Sequence, residues 1–198
     1  MTPERFQTGL TYDAYKAAMT RNLDRVEANE ARVQLDPEAV RFFKSLPRPL
    51  NVVVLAEDWC GDVIANLPVL GRLAEAVGRL NVRIFYRDQN EDLIDHWLNH
   101  GQFKSIPVFA FFDESFHELG HWIERPDSVT ELRARKRKEV FASDPAFGSP
   151  DAPVDALPED VRTRLQAALQ KMRDETTAFA NAEVQRELRD LVSALPVR

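Results

Sequence analysis

The chain is short of cysteine, of basic charge and of long apolar runs, and each shortage excludes something. A single cysteine, Cys60, among 198 residues rules out an intrachain disulfide and leaves only thiol chemistry with an outside partner. No Cys/His cluster has zinc-site spacing, and His96, His100, His117 and His121 form no known ligand motif, so no metal is expected. No stretch reaches the ~18 consecutive apolar residues that a membrane span needs. The start Met-Thr-Pro-Glu-Arg carries no apolar signal region. A cytoplasmic protein with no membrane partner is the expectation. Lys and Arg number 26 against 32 Asp and Glu, giving a formal charge of −6, which argues against a nucleic-acid partner.

What is present suits one domain with additions: 44% hydrophobic residues supply a core and 29% charged residues cover it. The chain is organised around residues 52–68. An apolar β-branched run, Val52 to Leu55, ends in Glu57 and Asp58, and Trp59-Cys60-Gly61 turns into a helical pattern containing Pro68. A strand–turn–helix of this kind sets Cys60 at a helix N-terminus, where free N–H groups and the macrodipole favour the thiolate. Glu57, Asp58 and Asp62 oppose that ionisation, and no Lys or Arg lies within three residues to offset them.

Apolar periodicity predicts an amphipathic helix over 11–34, capped by Thr11 and carrying Tyr12, Tyr15, Met19, Leu23 and Val26 inward. A second helix starts at Asp36-Pro37-Glu38 and is closed by Pro47 and Pro49. Strand 51–56, helix 60–78, strand 81–87, helix 90–100, strand 106–112, strand 116–123 and helix 126–140 follow. The order β-α-β-α-β-β-α requires a mixed sheet covered on both faces. Residues 143–160, rich in proline and acid, read as a linker or surface loop. A long helical pattern then runs from Glu159 to about Leu195, with a bend or interruption expected at Ala178 to Ala182. The basic cluster Arg133, Arg135, Lys136, Arg137 and Lys138 reads as a solvated helix face near a helix C-terminus, with an acidic or phosphate partner as the alternative.

Trp59-Cys60-Gly61, with Pro68 beyond it, resembles the Trp-Cys-x-x-Cys active-site segment of the thioredoxin superfamily and its helix-kinking proline. Asp62 stands where the usual proline would be, and Val63 where the resolving cysteine would be. Asp88-Gln89-Asn90 and Ser105-Ile106-Pro107 are similar to two further family segments, the second carrying the proline that is cis in that family. The resemblance spans roughly 50–140 and implies a thioredoxin-like three-layer α/β/α fold with a mixed sheet. It divides the chain into an N-terminal helical extension (1–47), a core (48–142), a linker (143–160) and a C-terminal helical extension (161–198). Cys60 would be the nucleophile, Trp59 would shield it, Gly61 and Asp62 would shape the turn, and Ile106 and Pro107 would present a substrate.

Without a second cysteine the mixed disulfide cannot resolve itself. The resemblance therefore implies a monothiol disulfide oxidoreductase that passes a protein or small-molecule disulfide to an external thiol. Glutathione would be a co-substrate, and no other cofactor is called for. The alternative is a non-catalytic thioredoxin-fold binding module with a degenerate redox site, in which the terminal helices set an interface, including that of a homodimer.

Overall fold

A computed structural model describes residues 1–194. Strand β1 (Leu50–Ala56) is buried along its whole length and pairs in parallel with β2 (Leu80–Tyr86) and antiparallel with β3 (Val108–Phe112). Strand β4 (Glu118–Ile123) adds antiparallel to β3, giving the order β2-β1-β3-β4. The two central strands read as unbroken apolar runs because both their faces are covered, whereas the edge strand β4 exposes Glu118 and buries Trp122. This is the mixed sheet that the order of elements requires, in the thioredoxin-like α/β fold that the resemblance implies.

Helix α5 (Gly61–Val77) leaves the β1 end, carries Pro68 within it, and stops at Gly78, whose φ of +62° is the left-handed conformation that glycine adopts without strain. Gly71 is needed for a different reason. A Cβ there would sit 2.6 Å from the Tyr12 ring, so only glycine lets α2 (Tyr12–Ala18) approach α5. Residues 11–34 are two helices rather than one: α2, then α3 (Leu23–Arg32), separated by a link through Asn22 at φ +57°. The link breaks the helix because the backbone N–H groups of Thr20 and Arg21 donate to the Asp58 carboxylate instead of to a preceding turn. An additional short helix α1 (Pro3–Thr8), capped by Thr2, precedes them, and α4 (Pro37–Lys44) begins at the Asp36 cap.

The expected helix over 90–100 shrinks to α6 (Glu91–Ile94). Beyond it the chain closes a loop in which Asn99 and Phe103 bridge, with His100 and Gly101 at positive φ. Helix α7 (Asp127–Ala142) is followed by two short 3-10 turns at Pro145–Phe147 and Val154–Ala156. Phe147 is buried, so this stretch is anchored to the body of the protein.

Helix α8 (Glu159–Ser193) is continuous, roughly 50 Å at 1.5 Å per residue, with no interruption at Ala178 to Ala182. Continuity follows from its apolar stripe. Val161, Leu165, Leu169 and Met172 pack with Phe141 and Phe147, while Val184, Leu188 and Val192 join the main core. Gln185, fully buried, clamps α8 to the start of α4: its Nε2 donates to Gln34 O (2.9 Å) and its Oε1 accepts from Asp36 N (2.8 Å). Leu195, expected in the last turn of that stripe, lies outside the described residues. No helix among the described residues is long and apolar enough to cross a membrane.

Candidate functional site

The site is built where β1 hands over to α5. The Cys60 N–H donates to Glu57 O (3.2 Å) to close a turn, and Ile64 N donates to Cys60 O (3.0 Å) to open the helix. Cys60 is therefore the N-cap of α5, with its thiol turned toward the β3 entry, where it donates to Ile106 O at 3.5 Å. The Ile106–Pro107 peptide is cis, and Pro107 O accepts from Glu124 N (2.8 Å). The sulfur-bearing residue is 9% exposed. Trp59 beside it is 46% exposed, with the Arg87 guanidinium 5.0 Å from its ring centre. Apart from its chain neighbours and its own helix backbone, no atom lies within 4 Å of the point a Gly61 Cβ would occupy, so no other part of the chain covers this point of the turn.

The structure thus brings Cys60 and Ile106 into contact and sets Pro107, Trp59 and Gly61 around them. Asp62 goes elsewhere. It caps nothing; its Oδ2 accepts from Arg125 Nη2 at 2.5 Å, and Arg125 also pairs with Glu124. Val63, at the position of the absent second cysteine, is completely buried in the main core.

Burial pushes the Cys60 thiol above its ordinary range. The N–H groups of Val63 and Asp62 and the cation of Arg125 pull it down, the Asp62 carboxylate pushes it up, and the net direction is upward. Burial likewise raises Asp62, against the pull of Arg125. Glu57, buried at the end of the sheet, is raised by burial although its carboxylate accepts from Asp88 N (2.9 Å). Asp58 moves the other way. Burial pushes it up, but Thr20 N, Thr20 Oγ1 and Arg21 N all donate to its Oδ2, and these bonds outweigh the burial. The Tyr15 hydroxyl is buried without a hydrogen-bond partner. It is held neutral by burial first and then by the nearby Tyr86, Asp58, Glu57 and Cys60.

Three contributors were not singled out for the site from the sequence: Arg125, Tyr15 and Thr20. Arg125 was within reach, because the β3–β4 hairpin register carries residue 124 back to Pro107 and so places the next residue over the helix start. Tyr15 and Thr20 had no such signal, since their approach depends on the break in the first helical pattern. No group of three His, Cys, Asp or Glu side chains that could hold a metal occurs among the described residues.

Comparison with known proteins bears on the fold and the family. A protein of unknown function, PA1234 from Pseudomonas aeruginosa, superposes with a TM-score of 0.65 at 16% identity, covering 98% of each chain. An HIV epitope-scaffold matches equally well, with a TM-score of 0.65, 16% identity and 98% of each chain covered. At this identity the likeness speaks of the fold alone. No curated protein matches. A family model described as thioredoxin matches residues 9–138, well over half of the chain, and the chain belongs to that thioredoxin family.

Proposed function

We propose that this protein exchanges thiols and disulfides through Cys60 alone, with an external thiol completing the cycle. The single observation carrying this reading is the seat of the sulfur, at the N-cap of α5 and 3.5 Å from the carbonyl that precedes cis Pro107. Cys60, as thiolate, attacks one sulfur of a substrate disulfide. A new S–S bond forms to Cys60, the old S–S bond breaks, and the departing sulfur takes up a proton. A second thiol, of which glutathione is the chemical type, attacks the mixed disulfide and leaves with the substrate sulfur as a new disulfide, returning Cys60 to its reduced form. The electrons come from that external thiol. Trp59 screens the mixed disulfide, Gly61 leaves the approach open, and the Ile106 backbone lines up the substrate chain. A cytoplasmic setting, where glutathione is held reduced, suits this chemistry.

The upward shift of the Cys60 thiol favours a second reading, a thioredoxin-fold module that binds a partner without turnover. A glutathionylated peptide with excess glutathione separates the two. Turnover above background in the native protein and none in Cys60→Ser supports exchange, and equal rates in both proteins leave the binding module standing.

A further inference from the structure

Helices α3, α5, α7 and α8 line an open cleft of about 790 Å³, in the size range of small-ligand pockets. Its walls hold Arg25, Arg32, Arg125, Arg133, Arg137 and Arg173 against only two acids, Asp62 and Asp174. In a chain with formal charge −6, this is a local excess of the opposite sign. Two of the six are paired with carboxylates, Arg32 to Asp174 at 3.2 Å and Arg125 to Asp62 and Glu124, while Arg137 donates to Pro150 O (3.0 Å) and Arg25 to Asn22 Oδ1 (3.2 Å). Arg25, Arg133, Arg137 and Arg173 have no carboxylate partner among the described residues.

The basic cluster read from the sequence as a solvated helix face is thus divided. Arg133 and Arg137, one turn apart on α7, turn inward and are half-buried, and the cluster sits in mid-helix rather than at the C-terminus. The Nε atoms of Arg125 and Arg133 are buried without an acceptor. Burial pulls the Arg133 guanidinium below its ordinary range, with Arg125 and Arg173 adding to the effect and Asp62 opposing it.

Like cations held together beside an apolar floor (Ile64, Ala65, Leu169 and Met172) repel one another unless an anion lies among them. The guanidinium fork matches carboxylate and phosphate oxygens in pairs. We propose that this cleft binds a small organic molecule carrying two or more oxyanion charges, a phosphate ester or a polycarboxylate. A volume of about 790 Å³ bounded by four helices fits a small molecule rather than an acidic protein segment, and the overall negative charge disfavours a nucleic acid. The site requires nothing of the Cys60 sulfur, so it stands or falls apart from the exchange chemistry.

Calorimetric titration at low ionic strength, with sodium pyrophosphate and with citrate as probes, tests the assignment in the native chain, in Cys60→Ser, in Arg133→Gln and in Arg25→Gln/Arg173→Gln. The last pair lies at exposed positions, so its fold is not at risk. Expected are one-to-one binding of at least one probe, the same affinity in Cys60→Ser, and a loss of about tenfold or more in both arginine variants. Preference for pyrophosphate identifies the phosphate class, and preference for citrate the carboxylate class. No binding of either probe, or an affinity unchanged in both arginine variants, overturns the proposal.

Discussion

On one flank of the Cys60 turn, the hydrogen bonds to the Asp58 carboxylate come from neutral donors: two backbone N–H groups and a hydroxyl from the link between α2 and α3, all on Oδ2. On the other flank, Asp62 leans on Arg125, and behind Arg125 stand further arginines that form no ion pair among the described residues. The first flank is closed at Oδ2, where three fixed dipoles meet one carboxylate oxygen. The second holds positive charge in reserve. The contrast teaches that the acidic stretch around Cys60 is not one electrostatic unit. Glu57 and Asp58 belong to the scaffold, whereas Asp62 belongs to a network that reaches the cleft and also acts on the thiol through its charges.

The largest effect expected is chemical and bears on what lies between the flanks. Val63→Cys restores a second sulfur one helical turn from Cys60, a separation that falls within the ~4.4–6.8 Å Cα range of disulfides. Oxidation is then expected to consume both thiols of the monomer, as read by thiol titration and by a monomeric band on a non-reducing gel. A variant that cross-links only between chains would mean that the turn does not present its first two rungs as described. The change also removes buried apolar volume, at a cost of about 1 kcal/mol.

Next in size is the removal of the Arg125 cation. In Arg125→Gln, Asp62 keeps its burial and loses its partner, and a fall of about 1–3 kcal/mol in unfolding free energy is expected in urea titration. The same cation pulls the Cys60 thiol downward, so the pH profile of Cys60 alkylation is expected to move to the alkaline side of the native one. The native profile itself is expected to lie above that of an unhindered cysteine, whose midpoint is about 8.5. A folded thiol pKa raised above its unfolded value means that the contribution of the neutral thiol to stability is complete below the unfolded pKa and is lost as pH climbs through the folded one. A profile untouched by Arg125→Gln would separate the cleft from the thiol and dissolve the link between the two flanks.

Much of this architecture was legible in the chain because periodicity reports burial directly. The unbroken apolar run of β1 and the Gly78 stop of α5 each have a local physical cause that a sequence displays. The failures share a different cause. The helix over 11–34 was predicted from periodicity that does continue through it, yet Thr20 and Arg21 surrender their N–H groups to a carboxylate far along the chain. The stretch over 90–100 likewise gives its backbone to the Asn99–Phe103 bridge, and the basic cluster on α7 was read by sign and spacing without knowing that α8 would fold over it. At the site, local residues supplied three acids near Cys60, while the compensating cation, Arg125, arrives only through the hairpin register. Long-range polar pairing overrode local pattern at the 11–34 break and at Asp62.

The smallest effect expected tests the closed flank. In Asp58→Asn the amide oxygen still accepts from the α2–α3 link, but the bonds lose their charge assistance, which is worth about half their strength. A loss of about 1 kcal/mol at neutral pH is expected, together with faster amide exchange at Thr20 and Arg21. The folded pKa of Asp58 lies below its unfolded value, so its stabilisation is present above the unfolded pKa and is lost as pH falls through the folded one. The gap between native and variant stability should therefore narrow as the solution is acidified below pH about 4. If the gap stays constant down that range, the carboxylate charge is not what holds the link, and the two flanks differ in shape rather than in how they answer charge.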